Sequence, residues 1–369
     1  MSSKWRILPF EEVFEDVSGG NKKVLQSTYL REGAIPVVDQ GKNLVGGYTN
    51  EQDCICKSLL PVLVFGDHTK CIKYIDFQFA MGADGIKVLK PRFESDTKYL
   101  YYYLCSLKLP DAGYDRHFKY LKRIEITLPP LPEQRRIAAI LDKGDSLREK
   151  RRQAIAKLDE LLKSVFVEMF GDPVTNPKGW EIKPLGELLN FRTGKLDSNA
   201  AVEGGAYPFF TCSREDFRID SHAFDCEALL LAGNNATADY SVKYYKGKFN
   251  AYQRTYVITL QDSNYSYFYM KYALEKKLLE LKRLSKGTNT KYLTLSILKE
   301  LKIQVPDSAL QKRFERNTLK INEILERQED FLHSTNNLFV SLQQRAFSGE
   351  LFSEKAPVTP SALEVVQHV

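Results

Sequence analysis

Two stretches of the chain carry apolar side chains at helical spacing and align with each other without a gap. The first runs LPEQRRIAAILDKGDSLREKRRQAIAKLDELLKSVFVEMFGD from Leu131, the second SALQKRFERNTLKINEILERQEDFLHSTNNLFVSLQQRAFSG from Ser308, at a constant offset of 177. Apolar residues coincide at Ile137/Phe314, Leu147/Ile324, Ala154/Phe331, Leu161/Leu338 and Val165/Leu342. Such spacings, built of sevens, threes and fours, describe a helix with one apolar stripe. Strong helix formers fill both stretches, and Pro132 stands in the first turn, where proline is tolerated. Each helix, about 38 residues long, would span roughly 57 Å. Neither can bury its stripe alone, so the pattern predicts that the two pack on each other, antiparallel.

The segments before the helices repeat as well. WRILPFEEVFEDVSG from Trp5 matches WEIKPLGELLNFRTG from Trp180 at offset 175, and these are the only two tryptophans. Further landmarks drift: Ile35-Pro36-Val37 resembles Tyr207-Pro208-Phe209 at 172, YLYYYL from Tyr99 resembles YSYFYM from Tyr265 at 166, and Lys119-Tyr120-Leu121 resembles Lys291-Tyr292-Leu293 at 172. Drift between fixed landmarks is expected of one scaffold carrying loops of different length. The order is domain, long helix, domain, long helix. The boundaries read from it are residues 1–130, 131–172, 173–306 and 307–352, with a polar tail at 353–369 expected to be disordered. The fold class expected is α+β: two globular α/β domains in pseudo-twofold repeat, separated by two long antiparallel, coiled-coil helices.

Composition narrows the function classes. The 369 residues are 43% hydrophobic and 27% charged, with net charge +6 and a pI near 8.7. This mild basicity permits a polyanionic partner without requiring one. No run approaches 18 apolar residues, and the N-terminal stretch lacks a secretory pattern, so a cytoplasmic protein with no membrane span is expected. The six cysteines form no CxxC pair, and reduced thiols with no metal are expected. There is no GxxxxGK[ST] loop, no Asn/Asp-Pro-Pro-aromatic tetrapeptide and no recognisable nucleophile–base pair. Asp172-Pro173 followed by Glu181-Ile182-Lys183 has a nuclease-like spacing, but its members straddle positions that are Arg6 and Leu8 in the first copy. No catalytic residue is assigned.

What recurs instead is basic charge. Arg116, His117, Lys119, Tyr120, Lys122 and Arg123 surround the first Tyr-Leu landmark; Lys282, Arg283, Lys286 and Lys291 precede the second. Basic clusters at equivalent points of a repeat suggest one shared ligand, with phosphate oxygens the chemical match. Base edges call for short polar and amide side chains on close-approaching loops. Such loops occur at Asp39–Asn43 (Gln40, Lys42, Asn43), Gly66–Lys70 (Asp67, His68, Thr69, Lys70) and Gly82–Gly85. In the second half they occur at Thr211–Glu215 (Thr211, Ser213, Arg214), Gly233–Thr237 (Asn234, Asn235, Thr237) and Lys286–Lys291 (with Thr288, Asn289, Thr290). Those loops supply the candidate DNA contacts. The tyrosine-rich stretches read as aromatic core faces of helices in preference to base-stacking platforms.

The motif ITLPPLPEQRRIAAILDK at Ile126–Lys143, the helix end LLKSVFVEMFGDP and SLQQRAFSGEL at Ser341–Leu351 resemble the specificity subunits of type I restriction–modification systems. The resemblance covers residues 5–352; VPDSALQKRF departs from it by keeping Gln311 while lacking the Pro-Glu pair. It implies a non-catalytic chain in which each globular domain reads half of a split, asymmetric DNA target and the helices set the gap. It also implies two methylation subunits that flip and methylate adenine N6 with S-adenosylmethionine, and two motor-nuclease subunits using ATP and Mg2+. This chain would bind none of those cofactors. A subunit of a fused restriction–methylation system and a stand-alone DNA-binding regulator stay as alternatives.

Overall fold

A computed structural model describes residues 5–352 apart from Asp84, Asp111, Ala112, Tyr114, Asp216 and Thr237. The tail expected to be disordered lies outside the described residues. The chain is α+β and divides into two compact units: the described residues up to Arg151 together with those from Phe331 onward, and Arg152–Asp330. Each unit therefore takes one half of each long helix, Leu131–Phe170 and Ser308–Phe347. No helix among the described residues is long and apolar enough to cross a membrane.

The first unit opens with β1 (Arg6–Pro9), β2 (Phe14–Asp16), β3 (Lys23–Val24), β4 (Ile35–Val38) and β5 (Gly47–Thr49). It continues with β6 (Val62–Gly66), β7 (Ile72–Ile75), β8 (Ala80–Gly82), β9 (Ile86–Pro91) and, after the helices Thr97–Ser106 and Phe118–Leu121, β10 (Glu125–Leu128). Two four-stranded sheets result, in the orders β2-β9-β6-β7 and β3-β8-β4-β5, with β1 and β10 paired as a separate ribbon. All five residues of β6 are buried, as expected of a central strand covered on both faces.

The second unit builds the same plan from β11 (Glu181–Pro184), β12 (Leu189–Thr193), β13 (Tyr207–Phe210), β14 (Phe217–Ile219), β15 (Phe224–Ala232) and β16 (Asn234–Asn235). Then come β17 (Val242–Ala251), β18 (Thr255–Leu260), β19 (Lys291–Tyr292) and β20 (Lys302–Val305). Because β17 runs for ten residues, one strand does the work of β7 and β8, and the sheet is continuous: β12-β18-β15-β17-β13-β14. The ribbon β11–β20 repeats β1–β10 in register, Glu181 opposite Val305 as Arg6 is opposite Leu128.

The recurrence of Gln134 as Gln311 in the second copy has a structural cause. Gln134 accepts the Asp96 N–H at 2.9 Å and donates to the Pro129 carbonyl at 2.8 Å. Gln311 accepts the Ser266 N–H at 3.1 Å and donates to Pro306 at 2.8 Å. Both glutamines are buried. Asp96 and Ser266 are the N-caps of the helices Thr97–Ser106 and Tyr267–Leu284, so each glutamine pins a cap to the end of a ribbon. Replacing either by alanine leaves a buried N–H and C=O unpaired, with an expected cost of about 2 kcal/mol or more. Urea unfolding of Gln134→Ala and Gln311→Ala checks this; a loss under about 0.5 kcal/mol in both would contradict it.

These caps also correct the alignment of the aromatic stretch. Tyr99 donates to the Thr127 carbonyl and Tyr269 to the Gln304 carbonyl, each at 2.7 Å. Tyr99 thus corresponds to Tyr269, an offset of 170 in place of 166. The slip is four residues, about one helical turn, which a periodic aromatic pattern cannot distinguish. Tyr99, Tyr102, Tyr103, Tyr269 and Tyr272 are buried, as core faces. Tyr99 and Tyr103 meet Phe347 edge-on at 5.6 and 5.2 Å, and Tyr269 meets Phe170 at 4.7 Å. Each domain is completed by the end of the long helix belonging to the other copy.

Within the first unit the two helix segments run antiparallel. There Phe339 lies against Gly144 and beneath the Arg148 guanidinium at 4.3 Å, and Arg148 donates to Asn336 at 2.7 Å. The Arg151 guanidinium covers Phe331 at 4.2 Å. The apolar stripe is only partly used for this. Ile137 and Phe314 are fully buried, whereas Leu147, Ile324, Leu161, Leu338 and Phe331 stay 43–56% exposed. In the first unit the close approach is made by Gly144 against Phe339 and by Arg148 and Arg151 over Phe339 and Phe331.

Candidate nucleic-acid interface

In the first unit, three of the polar loops read from the sequence converge at one end of β6. Gly66 ends that strand, and a Cβ there would fall 2.3 Å from the Thr69 hydroxyl and 3.0 Å from Gln40. Glycine lets the two loops touch. The Gln40 side-chain oxygen accepts the His68 N–H at 3.3 Å, and Thr69 donates its hydroxyl to the Gln40 carbonyl. Asp67 then joins the Arg116–Lys122 segment to the cluster. Its carbonyl accepts the His117 N–H at 2.8 Å and lies 3.0 Å from His117 Nδ1. Its carboxylate accepts the Phe118 N–H at 2.8 Å, and its own N–H donates to Gly85.

Burial separates these residues into two kinds. Asp67 and His117 are buried, and Gln40, His68, Lys70 and Tyr120 are partly buried; Lys42, Asn43, Thr69, Arg116, Lys119, Lys122 and Arg123 are exposed. The buried ones are engaged with main chain. The exposed ones include five cations, Lys42, Arg116, Lys119, Lys122 and Arg123, together with Thr69 and Asn43. Lys119 pairs with Asp115 and Lys122 with Glu11, exposed contacts worth little. Lys70 adopts φ of 59°, an uncommon backbone setting at a loop tip.

The second unit gathers its loops the same way. β16 pairs with β19, Asn234 opposite Tyr292 and Asn235 opposite Lys291, while Leu293 N–H donates to the Gly233 carbonyl at 2.8 Å. Lys286 and Tyr292 exchange main-chain hydrogen bonds, closing a loop whose Lys286, Thr288, Asn289 and Thr290 are exposed. Arg214 reaches Asp239 at 2.7 Å, and Asn235 donates to the Asp239 carbonyl at 3.1 Å. Thr211 accepts the Ser213 N–H within its own loop. Thr237 lies outside the described residues.

Apart from Arg214, two groups of residues in these clusters were not singled out by their sequence. A cleft of about 570 Å³ in the second unit is lined by Phe210, Arg214, Arg218, Lys243, Tyr244 and Tyr245 among others. The alternating aromatic and basic letters of VKYYKGKF mark it. The other group is a pair of lysines on strands. Lys73 on β7 is 5% exposed and donates to the Asp39 carbonyl at 2.7 Å; burial pushes its amine below the usual lysine range, against the pull of Asp39. Lys243 on β17 donates to the carbonyls of Arg214 and Glu215 at 3.1 and 3.4 Å.

The nuclease-like residues are otherwise occupied. Asp172 accepts the N–H groups of Val174 and Thr175 in a turn, and Glu181 pairs with Lys183 at 3.2 Å. The acidic group Glu51, Asp53 and Cys54 holds the Lys22 amine at 2.6 and 3.0 Å from its two carboxylates.

Against known proteins, the family model described as "Type I restriction modification DNA specificity domain" matches residues 2–157 and again 177–337. The specificity subunit of the type I restriction enzyme EcoDI of Escherichia coli is 42% identical over 137 residues, 37% of this chain and 29% of that one. The EcoR124I/EcoR124II specificity subunit of the same organism is 29% identical over 255 residues, 62% of each chain. The chain thus spans less than two thirds of these curated relatives. A crystal structure of the type I system S subunit from M. genitalium shares the fold at TM-score 0.65, with 18% identity over 93% of this chain and 96% of that one.

Proposed function

The chain belongs to the type I restriction modification DNA specificity domain family, in two copies, and on that premise we propose that it is the DNA-reading, non-catalytic subunit of a type I assembly. The observation that carries this is the recurrence of one arrangement. In each unit, polar loops meet at the end of the strand that is central to its sheet and are rimmed by exposed cations. Cations hold phosphates and set register; short polar side chains on the loops read base edges. Lys42, Asn43, Thr69, Lys70, Arg116, Lys119 and Lys122 would form the contact surface of the first unit. Arg214, Asn234, Asn235, Lys286, Thr288, Asn289, Thr290 and Lys291 would form that of the second. Gln40, Asp67 and His117 would act from behind by holding the loops. The loop sequences differ between the units, so the two half-sites differ and the whole target is asymmetric.

Methylation subunits that bring S-adenosylmethionine, and motor-nuclease subunits that use ATP and Mg2+, complete the assembly in this reading. A docking surface for a partner used twice is available on the long helices. Leu147 and Ile324 are equivalent and both exposed, as are Leu161 and Leu338. Each unit holds one member of each pair. Exposed aliphatic side chains recurring at equivalent places fit a repeated partner contact. The test is to co-express the chain with its methylation subunit in a methylation-free host and map N6-methyladenine genome-wide. A split motif of fixed gap, lost when this chain is omitted, is expected. A palindromic motif contradicts the asymmetric target, and no methylation from a soluble co-purified complex contradicts the proposal as a whole.

A further inference from the structure

Strand register makes two lysines equivalent that lie 170 positions apart and sit in strands of different length. Phe14 pairs with Pro91 as Leu189 pairs with Leu260. Two residues earlier on those partner strands, Leu89 pairs with Leu63 and Ile258 with Leu229. Leu63 in turn faces Tyr74, and Leu229 faces Tyr244. Lys73 and Lys243, one residue before those tyrosines, are therefore equivalent. The parallel pairs Val38–Met81 and Phe210–Ala251 agree with the same offset.

Both amines do the same thing. Each donates to main-chain carbonyls of the loop that follows the equivalent strand, β4 or β13. Lys73 holds Asp39 O, with the Asp39 carboxylate at 3.6 Å; that carboxylate accepts the Gly41 N–H at 2.8 Å, so the clamp extends along the turn that presents Gln40, Lys42 and Asn43. Lys243 holds Arg214 O and Glu215 O, the turn that presents Ser213 and Arg214. A lysine whose amine serves loop carbonyls stands at this register position in both copies, buried as Lys73 and partly exposed as Lys243, and burying an ammonium costs solvation that an apolar residue would not lose. Stability alone gives no reason for it to recur in both copies, whereas the two loops otherwise share little sequence.

We propose that Lys73 and Lys243 are positioning residues that determine specificity: each fixes the backbone of one reading loop from behind, without touching DNA. The inference rests on the proposed DNA-reading function and goes beyond it in naming what sets the loop geometry in each half.

The test uses the full chain with its methylation subunit in the methylation-free host, comparing Lys73→Met and Lys243→Met with the unaltered chain. The unaltered chain must yield a bipartite motif; if it does not, the functional reading has failed and not this inference. Lys73→Met is expected to degrade one half-site, with discrimination at one or more of its positions falling about tenfold, while the other half-site and the gap persist. Lys243→Met is expected to do the converse, and Lys243→Arg, which keeps a donor at a partly open position, to restore the motif. Binding of the purified complexes to random duplex should keep its salt dependence. An intact motif in both methionine variants overturns the proposal. So does uniform weakening with a salt slope reduced by about one, the mark of a phosphate contact. If Lys73→Met fails to fold, Lys243→Met decides by the same outcomes.

Discussion

Phe314→Ala is expected to destabilise the second unit by about 3–5 kcal/mol, the range for removing a buried phenyl ring whose site cannot collapse. Phe314 is fully buried and meets three rings edge-on, Phe166 at 5.5 Å, Phe170 at 5.3 Å and Tyr272 at 5.4 Å. Two of these rings come from one long helix, Phe314 from the other, and Tyr272 from the helix Tyr267–Leu284. Truncation strips the shared contact of three elements at once, and edge-to-face pairs add to the loss beyond area. Against a domain stability of about 5–15 kcal/mol, such a loss is large. Urea unfolding followed by tryptophan fluorescence is the check, since Trp180 donates to the Phe170 carbonyl beside the cluster. A change under about 1 kcal/mol would mean that the cluster is not the centre of this core.

Removing Lys119, Lys122 and Arg123 together, each to alanine, is expected to leave folding nearly unchanged and to weaken DNA binding about ten- to hundredfold at ~0.15 M salt. All three are exposed, and their contacts within the chain are surface ion pairs and ring contacts. If each meets one phosphate, the plot of log affinity against log salt flattens by about three units. The loss should be alike for cognate and scrambled duplexes. Anisotropy titrations of both duplexes at several salt concentrations distinguish this from base reading, which would spare the scrambled duplex and leave the slope unchanged.

Much of this arrangement was legible in the chain because the repeat supplies its own control. Gln134 and Gln311 coincide at a constant offset, and their shared clamp on a helix cap explains why. The helices were visible from spacing, but periodicity could not say which apolar positions are covered, and Leu147, Leu161, Ile324 and Leu338 turned out to be open. The aromatic stretch was placed one turn away from its true partner, since a turn-periodic pattern matches itself. The loops were found by their glycines and short polar letters, which mark turns. Composition could not say that Asp67 and His117 point inward, because burial depends on the Arg116–Lys122 segment returning to the end of β6 from fifty residues away. The lysine pair was within reach: Ile72-Lys73-Tyr74 and Val242-Lys243-Tyr244 share a pattern at offset 170. It is hidden by the merging of β7 and β8 into one strand in the second unit.

The interleaving of the two units has a consequence for synthesis. Residues 152–330 form a contiguous unit, whereas the one that begins first along the chain needs Phe339 and Phe347 to cover Tyr99, Tyr102 and Tyr103. At roughly 5–20 residues per second, the ribosome takes on the order of 10–40 s to deliver the missing helix after Arg151 has emerged. The later-made domain becomes complete at Asp330, ahead of Phe339 and Phe347, and can close while the earlier-made one still waits with its tyrosines uncovered. The order of maturation therefore runs opposite to the order of translation, and the earlier domain is the one that a nascent-chain chaperone would have to shelter.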